Sequence, residues 1–487
     1  MERVILLFCL CTLLLRNVAN AQLNDAQWML GPNTSSINFR TGVPTLDSIL
    51  FDMNTGAANS AISDSQGNLL YYTNGVYIAG KLGSGDSILN GNGINPCPYT
   101  TANSEGLWIR QSSLFLNRPG SSRYYYLIHF SGDINNGIPY TLMYSVIDKD
   151  ANFGLGGVIL KNDTIYQQIF KRGGLTACKH ANGRDWWFVL STRQTNEYNI
   201  FLLTPDGIKD TLHQNIGPVY MGPLDDGYSC FSMDGAKYAT GAGRGLITVM
   251  DFDRCTGQFS NPVTIYNNSS ADPVNHPASG ISSIALSPNG RFIYATNTAT
   301  INQYDLWSGN VQDSVEVFNQ NANMDQLGLA YNGRIYASTF NGGYQFLSVI
   351  NSPDELGSNC NFVYGGQPTL SVNSYNISNT ANPRLGSLNG SGCDTINTDI
   401  RNVGQGTVEQ PRITPNPADK GMYIEMPRQG NYVFELLNAN GQLMARRETK
   451  QVDIINTEAL ESGVYFLRVT DKSSMRELST VQVVVRH

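Results

Sequence analysis

The stretch SPNGRFIYATNT, residues 287–298, decides the architecture. A small polar residue and a glycine-bearing turn lead into a run of aromatic and β-branched residues. Asn-Gly and Asp-Gly supply the positive φ that tight two-residue hairpin turns require, and the run that follows suits a pleated strand. One hairpin would mean little alone, but the pattern recurs. It stands at SDSQGNLLYYTNG (from Ser63), NRPGSSRYYYLIHF (from Asn117), HANGRDWWFVLST (from His180), SMDGAKYATGAG (from Ser232) and AYNGRIYAST (from Ala330). The turn glycines Gly67, Gly120, Gly183, Gly235, Gly290 and Gly333 are spaced by 53, 63, 52, 55 and 43 residues, a mean near 53. Further strand candidates fill the intervals: YTLMYSVID after Gly137, NIFLLTPDG after Tyr198, LITVMDFD after Gly245 and INQYDLW after Thr300.

Four short strands per interval is the content of one propeller blade; a β-helix repeats at about half this length, and a sandwich shows no such period. The 371 residues from Leu23 to Cys393 hold seven intervals of this length. The expected fold is therefore all-β: a β-propeller of about seven blades over 22–395. The leftover pieces are residues 28–51 and NFVYGGQPTLSVNSY, which are expected to form one closing blade from both ends, removing exposed sheet edges.

Both ends of the chain read differently from the body. Arg3, the apolar run from Val4 to Leu15, and Ala19-Asn20-Ala21 fit a signal peptide over 1–21, cleaved before Gln22. The apolar run is too short for a membrane anchor, which needs about 20 residues, and Arg16 ends it. No later stretch is long and apolar enough to predict a transmembrane segment. Residues 396–411 are polar and aperiodic, as a linker is. Beyond them, MYIEM, YVFELL, QLMARRE, VDIIN, VYFLRVT and TVQVVV alternate in hydropathy, with Asn440-Gly441 at a hairpin. They predict a small antiparallel β-sandwich of about seven strands over 412–487.

Composition narrows the function. Charged residues make up only 15%, the net charge is −7 and the pI is near 5.3, which argues against nucleic acid because phosphate binding needs a basic face. Without Cys9 and Cys11 of the leader, six cysteines remain, enough for three disulfides; proximity in sequence favours Cys230–Cys255 and Cys360–Cys393. No CxxC pair or histidine cluster predicts zinc. No G-x-S-x-G elbow, H-E-x-x-H helix, P-loop or sialidase box occurs, and GAGRGL at Gly241 has no following helix, so no catalytic residue and no cofactor site is assigned. Asp225-Asp226-Gly227 and Asp251-Phe252-Asp253 offer hard oxygens to calcium, but without loop spacing they read first as turns. Glu105, His129 and His180, with Trp108, Trp186 and Trp187, would line a pocket if the fold brought them together; otherwise the aromatics are blade packing.

Two resemblances follow from these residues. The ordered set QWMLGPNTSSINF, AISDSQGNLLYYTNGVYI, TACKHANGRDWWFVL, GYSCFSMDGAKYAT and GISSIALSPNGRFIYATN resembles the propeller-like region of many secreted Bacteroidetes proteins, a family that brings no established catalytic residues. Residues 412–487 resemble the type A sorting domain of type IX secretion substrates. The matching pieces are Pro415-Asn416-Pro417 at the entry, the hairpin at Gly441, and the G-x-Y motif of Gly463 and Tyr465; the ending Arg486-His487 departs from the family's lysine-containing strand. That resemblance implies export through a translocon that reads the domain, and a final location that is secreted or attached to the outer-membrane surface. Six Asp-Ser/Thr-aliphatic triplets, at Asp47, Asp86, Asp163, Asp210, Asp313 and Asp394, resemble the O-glycosylation acceptor pattern of Bacteroidetes; polar strand ends also read this way. The body is expected to bind or adhere to a glycan or protein without catalysis. An extracellular hydrolase or lyase and a structural part of an envelope or gliding assembly are the alternatives. Carboxylates or histidines converging on an open channel mouth would favour the enzyme.

Overall fold

The computed structural model describes residues 22–394 and 411–487, apart from 32–34, 48–52, 81–86, 133–136, 220–225, 243–244, 267–280, 297–298, 320–323, 341–342, 374–376, 439–441 and 474–475. The expected signal peptide with Ala19 and Ala21, nearly all of the linker, and Gly441 lie outside the described residues; Gln22 is exposed.

Six antiparallel meanders of four strands follow one another, over residues 60–92, 113–167, 176–215, 226–266, 283–319 and 324–368. They are blades 2 to 7. The three strands Gln27–Leu30, Ser35–Asn38 and Thr45–Asp47 form blade 1. The first strands of neighbouring blades lie side by side and ring a central channel. The four runs read as strands between the turns, YTLMYSVID, NIFLLT, LITVMDF and INQYD, all fall on the third strands of their blades.

Each second strand delivers one large aromatic side chain into the joint between blades. Trp28, Tyr72, Tyr126, Trp186, Tyr238, Tyr294 and Tyr336 are all under 2% exposed, one per blade. An aromatic of this size buries about 150–250 Å², so a blade without it would leave a gap on both sides. This is the physical content of the sequence repeat. At the closing joint Trp28 meets Phe39 edge-on at 4.9 Å and Tyr336 at 5.8 Å between ring centroids.

The six glycine turns all connect first to second strands, and all six glycines have positive φ, between 70° and 82°. They are not the expected two-residue turns, which for Asn-Gly and Asp-Gly take positive φ at both central residues. Only the glycine is left-handed. In the 287–292 turn the Gly290 N–H donates to the Ser287 carbonyl, and Asn289 Oδ1 accepts from the Arg291 N–H at 2.9 Å. Asn182, Asp234 and Asn332 make the same side-chain bond two residues on. That bond satisfies the backbone within a longer, right-handed turn, and glycine alone takes the left-handed exit.

The closing blade does use both ends of the chain; its N-terminal strands fall within the expected 28–51 stretch or one residue before it, but its C-terminal piece is not NFVYGGQPTLSVNSY. Residues 362–368 are the outer strand of blade 7. After them the chain returns to the axis, and Ile377–Asn379 occupies the innermost position of blade 1, inside Gln27–Leu30. Asn379 bridges in parallel to Ser60, as first strands of neighbouring blades do. Gly328 in blade 7 permits the approach: a Cβ there would stand 2.5 Å from Ile377 Cγ2 and 3.0 Å from Trp28.

Residues 412–485 form two further sheets. One contains Arg412–Thr414, Gly421–Glu425 and Val452–Asn456; the other is ordered Leu443–Thr449, Tyr432–Asn438, Gly463–Asp471 and Arg476–Val485. Alternating residues such as Ile424, Phe434, Leu436, Leu467 and Val483 fill a separate core between them. These are the seven strands of the expected sandwich.

Candidate functional site: the channel and its lid

The first strands lining the channel are short, buried and rich in serine, including Ser60, Ser63, Ser113, Ser229 and Ser283. Small polar side chains suit a ring interior where backbone edges need partners and space is limited. Into this space the chain inserts its own tail. The Ile377 N–H donates to Gln326 Oε1 of blade 7, and the Met29 N–H to the Ser378 hydroxyl. Asn379 donates its backbone N–H to the Asn59 carbonyl, and its carbonyl accepts from the Ser60 hydroxyl at 2.8 Å. Its side-chain amide then crosses the channel, donating to the carbonyls of Ser113 at 2.9 Å and Leu175 at 3.0 Å. One asparagine thus ties blades 2, 3 and 4 together.

Residues 380–394 turn onto the face that carries the glycine turns and cover that mouth. Asn382 donates to the Met233 carbonyl, Arg384 pairs with Asp25 at 2.9 Å, and the Leu388 N–H donates to the Ala181 carbonyl at 2.7 Å. Arg254 reaches the Gly386 carbonyl at 2.7 Å. What remains beneath is a cavity of about 110 Å³, bordered by Cys178, Tyr228, Cys230 and Asn379.

The lid corrects the cysteine pairing. Cys255 is bonded to Cys393 across a sequence separation of 138, with Cα atoms 5.5 Å apart, while Cys97, Cys178, Cys230 and Cys360 are free thiols. Cys230 sits on the first strand of blade 5 beside the cavity, whereas Cys255 lies in the turn before the outer strand. Neighbours in sequence are therefore at opposite ends of a blade. Cys360 is buried in the joint between blades 6 and 7, away from the tail that carries Cys393 to Cys255.

Electrostatics around the channel favour neutral groups. Burial pushes the Cys178 and Cys230 thiols up to about 12, and the Asp25 carboxyl up to about 6 against the pull of Arg384. Burial also draws the Lys179 ammonium down to about 7, where it sits 3.8 Å above the Trp186 ring. A protonated thiol is a poor nucleophile, so neither channel cysteine is activated.

The six residues considered for a pocket do not converge. His129 is fully buried in blade 3, bonded to Asn95 and to Ser145, and burial drives its imidazole down to about 3. Glu105 and Trp108 are exposed on the connection between blades 2 and 3. Trp186 and Trp187 are packed into the body. Only His180 and Trp187 touch, with ring centroids 5.6 Å apart. Of the acidic pairs, Asp251 is held by Lys237 and Asn261, and Asp253 accepts from the Cys255 N–H and Thr256 hydroxyl; Asp225 lies outside the described residues. Among the described residues no three His, Cys, Asp or Glu side chains gather as a metal site would need. Four triplet hydroxyl residues, Ser87, Thr164, Thr211 and Ser314, fall on the outer strands of blades 2, 3, 4 and 6.

In the small domain, the entry motif fastens the last strand. Between Pro415 and Pro417, Asn416 accepts from the Val484 N–H at 2.8 Å and donates to the Gln482 carbonyl at 3.1 Å, imitating a backbone pair. Gly463 opens its strand, and Tyr465 is buried with its hydroxyl donating to the Glu461 carbonyl at 2.9 Å.

Residues 412–485 match the family described as "Secretion system C-terminal sorting domain". The protein is handled by type IX secretion and is secreted or attached to the outer-membrane surface. Among the described residues no helix is long and apolar enough to cross a membrane. Curated proteins give no match to the sequence. Among solved structures, the chain is similar to Saccharomyces cerevisiae Sqt1 (11% identity, 96% of this chain and 94% of that chain, TM-score 0.40). It is also similar to the Myceliophteria thermophila Cps50 (Swd1) β-propeller domain (10% identity, 68% and 95%, TM-score 0.40). A third likeness is to a putative 6-phosphogluconolactonase from Bacteroides uniformis (13% identity, 66% and 91%, TM-score 0.34).

Proposed function

We propose that the propeller is a non-enzymatic binding module, exported by the type IX route and presenting its outer surfaces to a glycan or protein ligand outside the cell. The observation that carries this reading is the lid. The chain's own tail covers one channel mouth, and the space left, about 110 Å³, is far below the ~300–1,000 Å³ of a ligand pocket. A polymer substrate has no entry from that face. Contact surface is then left to the rim and the opposite face, where Trp108 is 46% exposed.

The test uses the secreted protein on a glycan array and against extracted matrix proteins, beside a hydrolase and lyase screen on the same polymers. Saturable binding without turnover supports the reading. Turnover that survives purification and is lost on substituting a channel residue overturns it.

A further inference from the structure

The small domain leaves several large apolar side chains uncovered. Seven exposed large apolar side chains lie in it: Tyr423, Leu443, Met444, Val452, Ile454, Val464 and Phe466. Four of them share one face. In the four-stranded sheet, Phe434, Leu436, Tyr465 and Leu467 point into the core. Alternation therefore turns Leu437, Val464 and Phe466 outward. Leu437 is in register with both Leu443 and Phe466, and Val464 with Val484, so the side chains form a continuous strip across the sheet. Met444 occupies the bulge where the register shifts beside Leu437. Leu443, Met444, Val464 and Phe466 are 51%, 42%, 41% and 37% exposed.

The other half of this face is charged. Glu435, only 3% exposed, is flanked in register by Arg446 and Arg468 and held by Arg468 at 2.7 Å. Arg446, Arg468 and Lys472 outnumber the carboxylates of Glu435 and Glu448 beside them. Arg123 of blade 3 approaches Glu435 at 3.6 Å, so the charged half already serves as an interface within the chain, and the apolar strip continues from it.

We propose that this strip is the surface by which the export machinery reads the domain, and that its occupant is a protein of that machinery with an apolar centre and an acidic rim. The proposal rests on the type IX reading of residues 412–485. Sorting requires recognition of the folded domain, and an uncovered apolar strip of this kind marks a protein contact. A cationic margin favours an acidic partner.

The test is secretion of the full chain from a host with the type IX system. Leu443→Glu/Phe466→Glu is compared with Tyr423→Glu/Ile454→Glu, which alters exposed residues on the opposite sheet. The strip variant is expected to lower the secreted fraction at least ten-fold and accumulate in the periplasm, with the opposite-face variant within two-fold of the parent. Protease resistance of the retained protein reports folding. Should the glutamates unfold the domain, Met444→Gln/Phe466→Gln gives the same comparison without charge. Equal secretion by the strip variant, or equal trapping by the opposite-face variant, overturns the proposal. A photo-crosslinker at position 466 should capture an outer-membrane protein; capture of a second copy of this chain instead overturns it as well. A chain ending at Pro411 separates the two levels. If it is secreted normally the export reading itself fails, and if it is trapped while the strip variant leaves the cell only the strip is wrong.

Discussion

The channel and the outer face of the small domain are both made of β-strands, but they treat their edges in opposite ways. In the channel, one mouth is taken by the chain itself: Ile377–Asn379 fills the inner place of blade 1, and the next residues cover the face that carries the glycine turns. On the small domain, a row of apolar side chains stays open to solvent. The first region spends its polar groups on internal closure, and the second holds an apolar surface in reserve. The difference teaches where to look for partners. A surface already satisfied by its own chain has little left to offer, whereas uncovered apolar area is a standing cost that a binding partner removes.

The largest expected effect breaks the closed side of this comparison. Asn379→Leu is nearly isosteric but leaves the buried carbonyls of Ser113 and Leu175 without donors. With about 1–3 kcal/mol for each unsatisfied group, the body should lose about 4 kcal/mol in guanidinium unfolding, and the small domain should not change. A loss below about 1 kcal/mol would mean that the tail does not hold the ring.

A second variant sharpens the separation of the two cores. Leu436 is fully buried in the small domain and shares no cluster with the body. Leu436→Ala should destabilise that domain by about 3 kcal/mol and lower only its own calorimetric transition. A matching shift of the propeller transition would show one cooperative unit.

A third variant tests a pH dependence inside the body. Burial holds His129 at about 3 in the fold, against an ordinary value near 6.5. Below pH 6.5 the unfolded chain gains a proton that the folded chain refuses, so stability present above that pH is lost as pH falls towards 3. The slope from this group is at most about 1.4 kcal/mol per pH unit. His129→Gln should remove that part of the acid sensitivity while leaving stability at pH 8 nearly unchanged. An identical slope in the variant would show that His129 takes up its proton in the fold.

Much of the body was legible because one constraint recurs in six of the seven blades. A left-handed glycine ends the first turn and a large aromatic fills the blade joint, so Gly290 and Tyr294 have counterparts at Gly235 and Tyr238 or Gly333 and Tyr336. The sorting motif was legible for a similar reason, since Asn416 and Tyr465 each make a specific bond that few other residues could replace. The lid was not legible. Ser378, Asn379 and Asn382 act through polar contacts, mostly with backbone groups, between 149 and 349 positions away, as with Ser378 and Met29. Such contacts have no period and no hydrophobic signature. The disulfide was missed for the same reason, because only the tail's path across the mouth brings Cys393 to blade 5. Outward apolar residues such as Phe466 were hidden too, since the alternation that marks a strand does not say which face is covered.

The tail's path is the claim on which the closed channel depends, and non-reducing peptide mapping of the secreted protein tests it most directly. One linked pair is expected, Cys255 with Cys393, and free thiols at Cys97, Cys178, Cys230 and Cys360. A Cys230–Cys255 or Cys360–Cys393 link would place the tail elsewhere and contradict the lid.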